Sequence, residues 1–127
     1  MTALVLLAVA VGGALGAVLR QLTSVSLAGR GRIPWGVLAV NVVGSFVAGV
    51  ALGAPLGDIY TATVQVIIVS GFCGGLTTFS TFAVETVQLV LAGKHRAAAA
   101  SVALNLALGV AAALIGVALG FVVARAG

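Results

Sequence analysis

Apolar residues run along this chain in four long stretches, with most of the charged residues gathered between them. The stretches cover about 3–22, 34–54, 59–91 and 97–124. Each is close to or above the roughly 20 residues that an α-helix needs to cross a bilayer. The pattern predicts an all-α integral membrane protein of four transmembrane helices, forming one four-span domain over residues 1–127. No basic region precedes the first stretch, so it is read as a span and not as a cleaved leader. The second begins at Pro34, a residue favoured in the first helical turn, beside Trp35, which suits an interfacial anchor. The third is too long for one plain span and carries the anomaly of the chain. Residues 71–82 read Gly-Phe-Cys-Gly-Gly-Leu-Thr-Thr-Phe-Ser-Thr-Phe: three glycines, four hydroxyls and three phenylalanines inside an apolar segment. Irregular backbone at membrane depth survives only where protein or a water-filled path surrounds it. A broken third helix is therefore expected, and such breaks are where ions and substrates bind.

Composition narrows the class. Of 127 residues, 62% are hydrophobic and 6% charged, against roughly 25% charged in soluble domains. Cys73 is the only cysteine, so no intramolecular disulfide forms, and it reads as a small apolar filler. The spacings that hold zinc, such as Cys-x-x-Cys, do not occur. The net charge of +4 is concentrated in loops and reports topology, not nucleic-acid binding. Arg20, Arg30, Arg32, Lys94 and Arg96 fall at one end of a four-span bundle, whereas the end carrying the termini holds Asp58 and Arg125. The bias predicts cytoplasmic basic loops in the cell (inner or plasma) membrane, with both termini outside. Gly12 with Gly16, Gly44 with Ala48, and Gly116 with Gly120 stand four apart, the spacing of closely approaching helices.

The deep polar residues are Asn41 and Ser45 in the second span, Gln65, Ser70, Thr77, Thr78, Ser80 and Thr81 in the third, and Asn105 in the fourth, with Ser101 shallower. None is charged, and Glu85 lies beyond the break. No chain of ionisable groups exists for a proton relay. No nucleophile is paired with a base, because the single His95 sits in a basic loop, so an enzyme is not expected. A small proton-coupled multidrug transporter, the alternative reading, would carry a carboxylate in an early span. A non-conducting assembly protein is a third reading. Neutral donors can replace the hydration shell of a small ion, and aromatic edges carry partial positive charge. Phe79 and Phe82 lie near one face of a helical turn. Donors and ring edges without a fixed cation suit a small anion that passes and does not stay; on periodicity alone, core packing is the better reading of the same two rings. Carbonyls freed near Gly74 to Thr77 call for a partner, whether a cation such as Na+, water or a neighbouring hydroxyl.

The run at 71–82 followed by Glu85, the second-span run Asn41-Val-Val-Gly-Ser-Phe-Val-Ala-Gly, and Gly12-Gly-Ala-Leu-Gly-Ala-Val-Leu-Arg20 closely resemble the fluoride-specific ion channels (Fluc, also called CrcB). The resemblance covers essentially the whole chain. It implies passive fluoride export that lowers the cytoplasmic level, through two pores at the interface of an antiparallel dimer. By that resemblance Asn41 coordinates fluoride, Phe79 and Phe82 supply ring edges, and Thr78 and Ser80 lie beside the pore or break. The carbonyls of Gly74 and Thr77 would hold a structural, non-transported Na+ at the dimer centre. Arg20 matches an arginine near a pore vestibule.

The chain departs from the family in two respects. Many members carry a Tyr and a Ser four residues apart in the fourth span, where this chain has Asn105 and Gly109. A chain that inserts in both orientations should also show little Lys and Arg asymmetry, yet the asymmetry here is strong. Pairing with an oppositely oriented paralogue, as a heterodimer, is the expectation that follows.

Overall fold

The computed structural model describes residues 2–126, and all regular structure among them is helical. Helix α1 spans Ala3–Ser26 and α2 spans Trp35–Gly53. The third membrane segment, Ala62–Leu91, is built from several pieces. It starts as α3 (Ala62–Val66), widens into a π-helical stretch (Ile67–Cys73), tightens as α4 (Gly74–Leu76), breaks, and resumes as α5 (Ser80–Leu91). Helix α6, His95–Ala126, is the longest at 32 residues, about 48 Å at 1.5 Å per residue. Four segments are long and apolar enough to cross a membrane.

The helix ends differ from the expected boundaries for local reasons. Helix α1 continues through Arg20, so that arginine lies on a helix and not in a loop. The helix stops near Gly29, whose φ of 74° is left-handed and suits a residue without Cβ. Pro34 takes the N-cap position of α2 with ψ of 84° instead of the first helical position. The third segment starts at Ala62, capped by the Thr61 hydroxyl, which accepts the Val64 N–H at 3.3 Å.

Glycine sets the helix pairing. A Cβ at Gly49 would overlap the Ala113 carbonyl of α6, and one at Gly116 would overlap the Phe46 carbonyl of α2. Gly53 and Gly120 extend the same α2–α6 seam. The partner of Gly116 and Gly120 across that seam is thus the Gly49–Gly53 pair. Gly44 packs elsewhere, on the Thr77 methyl. A second seam joins α1 to the third segment, where Gly16 lies against the Phe72 carbonyl and Gly75 against the Gly13 carbonyl. Backbones this close gain dispersion contacts that lipid chains cannot match.

Gln65 has a structural task. Pro55 stands four residues after Ala51 and has no N–H to close the helical hydrogen bond to the Ala51 carbonyl. The Tyr60 hydroxyl donates to that carbonyl, and Gln65 Nε2 donates to it at 3.1 Å. The two side chains tie the end of α2 to the start of the third segment. The Ala51 carbonyl is thereby paired although the helical donor is missing.

Candidate functional site

The helix is abandoned at Thr77, whose φ and ψ of −81° and 156° are extended. Asn41 of α2 meets the break. Its Oδ1 accepts the Thr78 N–H at 2.8 Å, and its Nδ2 donates back to the Thr78 carbonyl at 3.1 Å. One side-chain amide thus satisfies both main-chain groups of Thr78, as burial requires. Thr78 in turn opens α5: its buried hydroxyl accepts the Thr81 N–H at 3.1 Å and lies 3.3 Å from the Ser80 hydroxyl.

These substitutions free specific carbonyls. In an unbroken helix the Thr78 N–H would bond to the Gly74 carbonyl, and the Thr81 N–H to the Thr77 carbonyl. Asn41 and the Thr78 hydroxyl take those donors instead. Among the described residues, neither the Gly74 nor the Thr77 carbonyl receives another main-chain donor outside the regular helices. Thr77 itself stays anchored, with its N–H and hydroxyl on the Cys73 carbonyl at 2.9 and 2.8 Å.

A groove of about 300 Å³ opens beside the break. Asn41 and Ser45 line it from α2, Thr77, Thr78, Phe79 and Phe82 from the third segment, and Asn105 and Leu106 from α6. None of these side chains is charged. The Phe79 and Phe82 rings stand 6.0 Å apart and are tilted by 54°, so the edge of one is inclined towards the face of the other. Phe82 is half-buried, whereas Phe79 is 79% exposed and projects past its own chain. Asn41 Nδ2 also donates to Asn105 Oδ1 at 3.2 Å across the groove, and Asn105 Nδ2 donates to the Ser101 carbonyl at 2.8 Å.

The family model described as CrcB-like protein, Camphor Resistance (CrcB), matches residues 7–117. The chain belongs to the CrcB family. Similar curated proteins include the "Fluoride-specific ion channel FluC 2" of Natronomonas pharaonis, 46% identical over 120 residues, covering 94% of this chain and 97% of the relative. The "Fluoride-specific ion channel FluC 1" of Thermobifida fusca is 43% identical over 111 residues, covering 86% and 89%. The "Fluoride-specific ion channel FluC" of Geobacter sulfurreducens is 41% identical over 124 residues, covering 94% and 96%. With four spanning segments, this CrcB-family chain is a multi-pass membrane protein.

Asn41, Thr78, Phe79 and Phe82, singled out from the sequence, share one groove in this CrcB chain. Ser80 touches it only through the Thr78 hydroxyl and is itself exposed. Gly74 is exposed on the third segment outside the groove, while Thr77 forms part of its wall. Arg20 is half-buried on α1 and does not line the groove. Two polar lining residues were absent from the expected set. Ser45 was visible only as a polar residue one turn from Asn41. A Cβ at Gly109 would meet Ser45 Oγ at 3.8 Å, so α2 places a hydroxyl beside the spot where α6 has none. The other is Asn105, whose acceptor oxygen holds Asn41.

Proposed function

We infer that this chain is a channel subunit that lets fluoride cross the membrane, and not an enzyme. The observation that carries the reading is the uncharged groove in which the Asn41 amide, the Thr78 region and the Phe79 and Phe82 rings converge, in a chain whose relatives are named fluoride-specific ion channels. Amide and hydroxyl donors can stand in for fluoride's hydration shell. Ring edges add weak positive potential without the trapping that a fixed cation would bring. Passive flow down the gradient would remove fluoride from the cytoplasm.

One chain offers half of a pathway. The groove is open on one side, Phe79 extends from it, and Ser70, Gly74 and Ser80 are uncovered along the third segment. Hydroxyls and freed carbonyls facing lipid would be costly, which supports a second subunit over this face in an antiparallel dimer. The Gly74 and Thr77 carbonyls, deprived of helical donors, fit a hard monovalent cation such as Na+. A two-fold or pseudo-two-fold axis there would gather them from both subunits, and the bound ion would join the halves. The Lys and Arg asymmetry supports basic loops in the cytoplasm, termini outside, and an oppositely oriented paralogue as the second subunit.

Fluoride efflux from proteoliposomes tests the reading. Vesicles holding this chain, alone or with a paralogue, should release fluoride and retain chloride, and Phe82→Ile should abolish release. Absence of efflux in every combination overturns the channel reading. A stable, conducting dimer of this chain alone overturns the heterodimer but leaves the channel.

A further inference from the structure

Helices α2 and α6 run parallel and meet in fixed register. Asn41 bonds to Asn105, 64 positions on, Gly49 packs on Ala113, and Gly53 packs on Val117. Between these lies the pair Ser45 and Gly109: beyond its own helix, a Cβ at Gly109 would touch Ser45 Oγ alone, at 3.8 Å. The seam therefore opens with two polar rungs, Asn41–Asn105 and Ser45–Gly109, about 6 Å or one helical turn apart. Asn41, Ser45 and Asn105 all line the groove.

An anion in that groove needs donors that the protein does not already use. The Thr78 N–H can only donate, so it fixes Asn41 Oδ1 against itself and turns Nδ2 the other way. Both Nδ2 hydrogens are then committed, to the Thr78 carbonyl and to Asn105 Oδ1. The Thr77 hydroxyl is spent on the Cys73 carbonyl, and the Thr78 hydroxyl serves the Thr81 N–H and Ser80. Asn105 gives one hydrogen to the Ser101 carbonyl and keeps the other. Among the described residues, the half-buried Ser45 hydroxyl has no hydrogen-bond partner at all. Helical hydroxyls commonly bond to the carbonyl four residues back, as Thr23 and Thr86 do at 2.8 and 2.7 Å. Ser45 does not, and its proton is left for whatever enters the groove.

We propose that Ser45 is a fluoride ligand, supplying from α2 the donor that Gly109 of α6 lacks. A hydroxyl turns its proton towards the acceptor presented to it, so Ser45 needs no rearrangement of the helices to bind. The missing side chain at Gly109 leaves the space beside Ser45 Oγ open for the ion. The free Asn105 hydrogen belongs to the adjacent rung on the opposite helix and is the next donor along the wall. Single neutral donors one turn apart hold an anion weakly enough to release it.

This inference rests on the fluoride-channel reading, and the experiment separates the two. Fluoride efflux from proteoliposomes is compared for the wild-type dimer, Phe82→Ile, Ser45→Ala, and Ser45→Ala combined with Gly109→Ser. Phe82→Ile defines the flux that runs through this groove. Ser45→Ala should lower that flux about fivefold, the loss expected for one neutral hydrogen bond. Its melting temperature in detergent should be equal or slightly higher, because no bond within the protein is lost and alanine favours the helix. The double variant moves the hydroxyl across the same rung, into space that the Gly109 position leaves open. It should recover most of the lost flux. An unchanged flux in Ser45→Ala overturns the assignment. So does a loss that tracks a falling melting temperature, and so does a loss that the relocated hydroxyl fails to recover. In each of these cases a conducting wild type leaves the channel reading in place. A wild type that passes no fluoride, alone or with a paralogue, overturns the channel reading beneath it.

Discussion

Asn41 and Thr78 form a closed pair: the amide oxygen takes the Thr78 N–H at 2.8 Å and the amide nitrogen returns a bond to the Thr78 carbonyl at 3.1 Å. The residues are 37 apart in sequence, on different spans. This contact makes the broken helix affordable in a membrane. Without it, both main-chain groups of Thr78 would be buried unpaired, and the backbone would gain by reclosing the helix onto the Gly74 carbonyl. The asparagine thus stabilises the break, frees the Gly74 carbonyl and stands in the groove, three tasks that follow from one side-chain position.

Replacing it with leucine should remove all three. Asn41→Leu keeps a similar volume but leaves the Thr78 N–H and carbonyl without partners, at about 1–3 kcal/mol for each buried group. We expect a lower unfolding temperature in detergent and no measurable fluoride efflux. Wild-type stability in this variant would mean that the break is held by other contacts.

The glycine seam makes a steric prediction. Gly116→Val places a Cβ on the Phe46 carbonyl, where the obstacle is backbone and cannot step aside. Little folded protein should be recovered. Gly109→Ser, on the same helix, meets only Ser45 Oγ at 3.8 Å. It should fold normally and gain a few tenths of a kcal/mol in helix propensity. Comparing monodisperse yield and melting temperature for the two variants checks both halves. Equal behaviour would contradict the close α2–α6 approach.

The four spans and the position of the break were legible because both are written in local composition: long apolar stretches, and a run of glycines and hydroxyls within one of them. The chemistry around the break was legible only as an inventory. Asn41 stood out as polar, but no local signal says that it captures Thr78 across 37 residues. Gly44 and Ala48 had the spacing of a packing motif, yet the α2–α6 seam uses Gly49 and Gly53. In helices this rich in small residues, several faces satisfy the same spacing, and only the three-dimensional fit selects one. Gly109 read as a loss on α6, and Ser45 stands beside it from another helix. Such compensation across helices leaves no trace in either segment alone.

The freed carbonyls predict an ion-dependent stability. If Na+ occupies the Gly74 and Thr77 oxygens, it binds the folded dimer and not the unfolded chain, so stability rises with its concentration by mass action. Replacing Na+ with a large organic cation such as N-methyl-D-glucamine, at constant ionic strength, should lower the melting temperature and the fluoride flux. Adding Na+ back should restore both. Identical melting curves in the two cations would remove the ion from the account.

The end of α2 offers a test in which one substitution should partly offset two others. The Ala51 carbonyl lacks a main-chain donor because Pro55 has no N–H, and Tyr60 and Gln65 both supply one. Losing either donor leaves the other, so Tyr60→Phe or Gln65→Leu alone should cost only about 0.5–1.5 kcal/mol. Losing both leaves a buried carbonyl bare, and the double variant should cost more than the two single effects added. Pro55→Ala gives the chain back an N–H four residues after Ala51, where a helical bond can form. In the double-variant background Pro55→Ala should therefore recover part of the lost melting temperature, whereas in the wild type it should change little. A strictly additive double variant, or one that Pro55→Ala does not rescue, would mean that Tyr60 and Gln65 contribute through packing and not through the carbonyl they share.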